Sequence, residues 1–323
     1  MQKIDNQATV SHTAHVNVDK LYMATGARIG HNVQIEAPEM VLSRGAIIDD
    51  GTIIKSTGKV YLGDYSFIGA NSIIIIHDLC IQDYSKIQRN AFMNGNGNCY
   101  IGYNVWIGSN CILNCEEQLY IGNGVGIGTY SSVWTHAHHG ELLEGCTLNK
   151  TAPVTIQDDA WILGCYNVIS PGVTLGKKSL IMTGSIVTKD VPDFGVVAGV
   201  PARAIPSLHI YSQISMERKF EMMKQFVREF IHTLDCDNIA EKESGWEITT
   251  NGRTSTIVFF EHADKLQGCG FDIAIVQLGI SSNTHYSGSV FDIATKKYCK
   301  TSSVMEVALI QFLLYEKARF IPL

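Results

Sequence analysis

The segment VWTHAHHGEL, residues 133–142, carries three imidazoles at His136, His138 and His139, with Glu141 close behind. A single imidazole is well suited to general base work, because its ordinary pKa near ~6.5 leaves it mostly neutral at pH 7. Three together could instead form an open metal set. Adjacent side chains at 138 and 139 do not readily aim at one ion, and His12, His15, His31 and His77 add no suitably spaced ligands, so no metal is expected. A solvated histidine-rich loop is the plain alternative. A base needs a rigid support, which makes the surrounding repeat informative.

That support is periodic. Of 29 glycines, 23 lie before residue 207. The same region reads as hexads: an aliphatic residue, often followed by Gly, with a small residue four places on. Examples are Leu62-Gly63 with Ser66, Ile68-Gly69 with Ser72, Ile107-Gly108 with Cys111, and Leu175-Gly176 with Ser179. Three hexads make one coil. Coil starts at Met23, Leu42, Leu62, Ile81, Ile101 and Ile121 are 19 or 20 residues apart, and Ile156 to Leu175 repeats the 19. The longer interval from Ile121 to Ile156 implies an excursion of roughly 15 residues. Such a period buries one aliphatic rank per wall of a three-sided solenoid, each residue stacked about 4.8 Å from its counterpart in the next coil. Glycine is expected to relieve backbone strain at the corners. Ile162 to Ile169 takes seven residues rather than six, which predicts a one-residue bulge.

After Pro206 the pattern changes. Helical spacing over 213–235 collects Phe220, Met223, Phe226, Val227, Phe230, Ile231 and Leu234. Strands are expected near Trp246–Thr250, Thr256–Phe260, Ile273–Gln277 and Ser289–Ile293, and Ser303 with Glu306 opens a final helix to about Lys317. A length of 323 residues suits two domains, since one core rarely grows past roughly 250–300. The composition is globular, at 46% hydrophobic and 17% charged, and a net charge of -6 leaves no basic footprint for nucleic acid. The opening MQKIDNQATVSHTAHV lacks an apolar leader, and Ile73 to Ile76 is far too short to span a bilayer. Nine cysteines without CxxC pairs read as small core residues in a reducing, cytoplasmic setting.

The hexads resemble the left-handed parallel β-helix of the hexapeptide-repeat acyltransferases. From Ile101 to Ile205, about a third of the chain, the resemblance sharpens toward the sugar O-acetyltransferases, such as the galactoside, maltose and capsule-type enzymes. It rests on TIQDDAWI (155–162), SPGVTLGKKSLIMTGSIVTKDVP (170–192) and above all VAGVPAR (197–203). The implied fold is mainly β: a left-handed β-helix over 1–206 with an extended loop at about 137–153, then a small α+β domain over 207–323 of unknown role.

The resemblance also implies roles. A catalytic His sits at the sixth position of the hexad before the loop, which counted from Val133 is His138; one gap in the match selects His136 instead. Trp161 would lie beside the pantetheine arm of acetyl-CoA, and Thr183, Gly184, Thr188 and Lys189 would line its path. Arg203 would meet the nucleotide phosphates, where a planar, permanently charged fork is apt; the second basic residue often found shortly after is Pro206 here. Glu116 stands where sugar acetyltransferases often carry an acceptor-binding Asp. Sites in this family form between subunits of a homotrimer. The implied activity is direct, acetyl-CoA-dependent O-acetylation of a sugar hydroxyl in surface polysaccharide or glycan biosynthesis. An N-acetyltransferase for an amino sugar and a non-catalytic solenoid binding module stand as alternatives.

Overall fold

The computed structural model describes residues 2–281, 284–314 and 316–323. The chain divides into two compact units, Met1–Tyr211 and Ser212–Leu323.

The first unit is a parallel β-solenoid built on three ranks of aliphatic side chains. The first wall joins Ile4, Met23, Leu42, Leu62, Ile81, Ile101, Ile121, Ile156 and Leu175 in parallel register. The second joins Val10, Ile29, Ile48, Ile68, Ile87, Ile107, Ile127, Ile162, Ile181 and Val197. The third joins Val16, Ile35, Ile54, Ile74, Met93, Leu113, Val133, Ile169 and Val187. Beyond the first coil every member is buried. Burying each such side chain stabilises the stack by roughly 1.5–3 kcal/mol.

The hexad's other positions follow from the corners. The small residue at position five points inward where the wall turns, so Ser66 and Ser72 are buried and return their hydroxyls to the Gly63 and Gly69 carbonyls at 2.7 Å. Position four is left-handed: φ is 58° at Asn71, 58° at Asn90 and 61° at Asn110. Asparagine tolerates this conformation better than most residues. Glycine relieves strain at this position as expected, with φ of 63° at Gly45 and 69° at Gly51, but at position two its cause is different. Gly63 and Gly69 do not carry positive φ; instead the next coil's corner backbone lies against them. A Cβ on Gly63 would sit 2.7 Å from the Asp83 amide nitrogen, and one on Gly69 2.5 Å from that of Arg89. Close approach, not strain relief, requires glycine there.

Two irregularities matter for function. Between Val133 and Ile156 the chain spends fifteen residues more than between Leu113 and Ile121, and returns through an antiparallel ribbon pairing His136–His138 with Asn149–Thr151. The seven-residue step from Ile162 to Ile169 stacks on the six-residue step from Ile127 to Val133, so the extra residue is a bulge. Buried Asn167 clasps it, donating to the Leu163 carbonyl at 2.9 Å and accepting from the Ser185 amide at 2.9 Å.

The second unit has a seven-stranded mixed sheet and helices α1 (Met216–Ile231) and α2 (Val304–Leu313). All four expected strands are present; Asn238–Lys242, Lys297–Cys299 and Ile321–Pro322 were not anticipated. Ser303 caps α2 by accepting from the Glu306 amide at 3.2 Å, and the helix ends at Leu313, short of Lys317. Phe220, Trp246 and Phe259 pack edge to face in its core. Among the described residues no helix is long and apolar enough to cross a membrane.

Candidate active site

His136 and His138 lie two apart on one strand of the ribbon, so both rings stand on the same face, with centroids 4.9 Å apart. Their surroundings differ. His136 is half-buried, and its Nδ1 lies 2.7 Å from Oδ1 of Asn114, one coil below and fully buried. Trp134 packs edge-on against the His136 ring at 5.9 Å. His138 is exposed, and among the described residues its Nδ1 meets only the Thr151 hydroxyl, at 3.4 Å. His139 is exposed.

The tautomer of His136 follows from the groups around Asn114. Oδ1 of Asn114 accepts from the Thr135 amide at 3.2 Å and faces the Thr135 hydroxyl at 2.9 Å, while Nδ2 donates to the Asn94 carbonyl at 3.2 Å. A backbone N–H requires an acceptor, so the amide oxygen, not the nitrogen, faces His136. Nδ1 of His136 must then carry the proton, which leaves the lone pair on Nε2. The orientation of this imidazole is set by a buried neighbour.

Glu116 belongs to the same corner. The Glu117 amide donates to Thr135 Oγ1 at 3.0 Å, and Glu116 accepts from Asn96 Nδ2 at 3.1 Å, half-buried. Thr188 and Lys189 are exposed residues following Val187 on this corner, two coils above Trp134, or roughly 10 Å away.

The structure separates these residues from Thr183 and Gly184. That pair forms the corner between the second and third walls, where Thr183 Oγ1 donates to the Leu163 carbonyl at 3.2 Å and the Gly184 amide to Cys165 at 3.0 Å. Trp161 stands on the second wall, 49% exposed, with its indole covering Gly126. Arg203, exposed, lies in the short strand Arg203–Ala204 that turns back on Val196–Ala198. Thr183 and Thr188 thus bracket the third wall, five residues or roughly 17 Å of strand. Among the described residues, no three His, Cys, Asp or Glu side chains are grouped to hold a metal ion.

Asn114 and Thr135 were missed in the sequence. A signal existed: Asn94 and Asn114 are one coil period apart and pair directly, the same polar type repeated just after the rank residues Met93 and Leu113.

The first unit is thus a parallel solenoid of stacked hexads with an imidazole buttressed at the root of an inserted loop. Comparison with known proteins finds relatives of this chain. The galactoside O-acetyltransferase of Escherichia coli (strain K12) is 36% identical over 160 residues, covering 47% of this chain and 78% of that protein. The galactoside O-acetyltransferase of Lactococcus lactis subsp. lactis (strain IL1403) is 33% identical over 128 residues, covering 36% and 60% respectively. A 2,3,4,5-tetrahydropyridine-2,6-dicarboxylate N-acetyltransferase of Staphylococcus aureus (strain JH9) is 44% identical over 71 residues, covering 22% and 29%. No family model matches the chain. The chain belongs to the hexapeptide-repeat acetyltransferase family.

Proposed function

We propose that this protein transfers an acetyl group from acetyl-CoA to a sugar hydroxyl, with His136 rather than His138 as general base. The observation that carries this reading is the buried Asn114 amide at 2.7 Å from His136 Nδ1, which leaves Nε2 free to accept a proton. The acceptor hydroxyl gives its proton to Nε2 as its oxygen bonds to the thioester carbonyl carbon. The C–S bond then breaks, and the imidazolium returns the proton to the leaving thiolate. An acetyl thioester is already activated, so no enzyme nucleophile is needed; general base catalysis supplies roughly 10²–10⁴-fold.

Exposed Trp161 and Thr183, beside a Gly184 whose added Cβ would meet nothing within 4 Å, leave room for the extended pantetheine arm. Arg203, Thr188 and Lys189 are assigned to its nucleotide end, and Glu116 to the acceptor. Because Thr183 and His136 lie on different corners, a complete site draws its imidazole from one subunit and its donor groove from the next, in a homotrimer. A role in surface polysaccharide or glycan biosynthesis, in the cytoplasm where acetyl-CoA is made, fits this chemistry.

The test is release of coenzyme A thiol with a panel of sugars, each offered in hydroxyl and amino form, on the wild-type protein, His136→Ala and His138→Ala. Turnover on a hydroxyl acceptor, lowered about 10²–10⁴-fold by His136→Ala and less than about threefold by His138→Ala, is expected. Turnover on the amino form alone would make it an N-acetyltransferase. No turnover and no acetyl-CoA binding would make the solenoid a binding module.

A further inference from the structure

Outward-facing side chains of the third wall fall into register as its buried rank does. Ile53, Ile73, Phe92 and Ile112 stand one above another in four successive coils. Ile73 and Phe92 are 37% and 39% exposed, and Ile75, on the same face of the same strand as Ile73, is 44% exposed. At about 4.8 Å per coil the stripe is roughly 14 Å long. It ends on polar residues: Gln34 beside His15 in the coil below, and Ser132 above, in the coil that goes on to His136. The other two walls differ at the same height. The second presents Lys86 between Phe67 and Trp106. The first presents Tyr61, Cys80 and Tyr100, beside a charged ladder in which Glu39 lies 2.8 Å from Lys59 and 3.9 Å from Lys20. Those two walls carry groups that suit water; the third presents a contiguous apolar strip, which marks an interaction surface.

We infer that this stripe packs against the same stripe of two further copies of the chain, so that this part of the third wall faces the axis of the homotrimer. The inference rests on the shared-site reading above and deepens it, because it names the surface that sets one half-site against the other. Symmetry fixes the chemistry of the occupant. Around a threefold axis each residue meets its own counterparts, which disfavours a charged group and favours an apolar one. None of Ile53, Ile73, Phe92 and Ile112 carries a charge or a polar side-chain atom. The site fixes the position. The third wall runs from the corner of Thr183 to the corner of His136. A copy that lends its imidazole corner to one neighbour and its donor corner to the other turns the wall between those corners inward. The stripe stops below the catalytic coil, so packing it leaves the coils of Thr183 and Thr188 to the donor.

Four full-length proteins test this: wild type, Ile73→Lys/Phe92→Lys, Ile73→Glu/Phe92→Glu, and Tyr22→Lys/Tyr61→Lys, which places the same charge on the first wall. Each is followed by sedimentation, far-ultraviolet circular dichroism, acetyl-CoA binding and release of coenzyme A. Wild type and the first-wall variant should sediment as three chains. Both third-wall variants should sediment as single chains with unchanged dichroism, since the altered side chains point away from the core. They should also release coenzyme A at least tenfold more slowly. Mixing the lysine and glutamate variants should restore three-chain particles, because opposite charges then meet at the axis; chains that had merely lost their fold would gain nothing from mixing. The proposal is overturned if wild type is not a three-chain particle, if the third-wall variants remain one, if mixing restores none, or if the first-wall variant dissociates as readily. Failure of the acetyl-transfer reading is separate, appearing as three-chain wild-type protein that neither binds acetyl-CoA nor releases coenzyme A.

Discussion

Replacing Asn114 by Ala tests the argument for His136 at its most exposed point. The amide accepts from the Thr135 amide and from His136 Nδ1, faces the Thr135 hydroxyl, and donates to Asn94. Each such bond contributes about 1 kcal/mol, and a buried donor left unpaired costs about 1–3 kcal/mol. The variant should therefore lose roughly 2–4 kcal/mol of stability, a melting temperature lower by about 5–10 °C. Activity should fall for a distinct reason. Without Oδ1 the imidazole can rotate and can carry its proton on either nitrogen, so Nε2 is seldom aimed and seldom free. Misplacement of about 1 Å costs up to about 10²-fold, so kcat should drop about 10–100-fold when measured well below the melting transition. Asn114→Asp separates orientation from protonation. It keeps an acceptor for Nδ1 but adds a negative charge, which favours imidazolium, so the acid limb of the rate profile should move to higher pH. Unchanged kcat in Asn114→Ala, or a loss matched by His138→Ala, would refute the assignment.

Other outcomes follow from the same structure. Burial pushes the Cys111 thiol up to about 11 from its ordinary 9.0. The unfolded chain sheds this proton near pH 9 and the folded one near pH 11, so the stability it lends is whole below pH 9 and fades by pH 11, about 2–3 kcal/mol in all; chemical denaturation of Cys111→Ala across that range should show a correspondingly flatter decline. Gly128→Ala drives a methyl into the Gly164 carbonyl oxygen at the bulge and should cost at least about 1–3 kcal/mol by thermal melting. Co-refolding equal amounts of His136→Ala with Thr183→Trp, each inactive alone, should restore about a quarter of wild-type activity if the site is shared between subunits, and none if it lies within one chain.

The solenoid was legible because its stabilising unit is short and repeated. A rank residue every six positions and a coil every 19 or 20 left the spacing of Met23, Leu42, Leu62 and Ile81 visible without knowledge of any contact, and parallel register then joins those residues. The bulge was legible too, as one residue too many between Ile162 and Ile169. The reason for glycine at position two was not, because it lies in the coil above: what excludes a Cβ at Gly63 is the Asp83 backbone, twenty residues away. In the second unit the hydrophobic runs disclosed the central strands, while Asn238–Lys242 is mostly exposed and has no apolar pattern to read.

The site was less legible, for a reason peculiar to this architecture. Counting along a hexad measures position around the prism, and that count ends where the chain leaves the prism. Val133 is the last rank residue before the excursion, so a count running on to His138 continues a period that the chain has already abandoned. His136 stands closer to the wall, still within reach of the coil beneath, and that coil supplies Asn114. Two residues further out, His138 faces the same way, but its Nδ1 meets the hydroxyl of the ribbon's own Thr151 rather than a group of the coil beneath. Distance from the wall accounts for the difference in partners between the two imidazoles. The same reasoning applies to Thr183 and Thr188, five apart in sequence: they close opposite ends of one wall, so a ligand that meets both must pass along that wall.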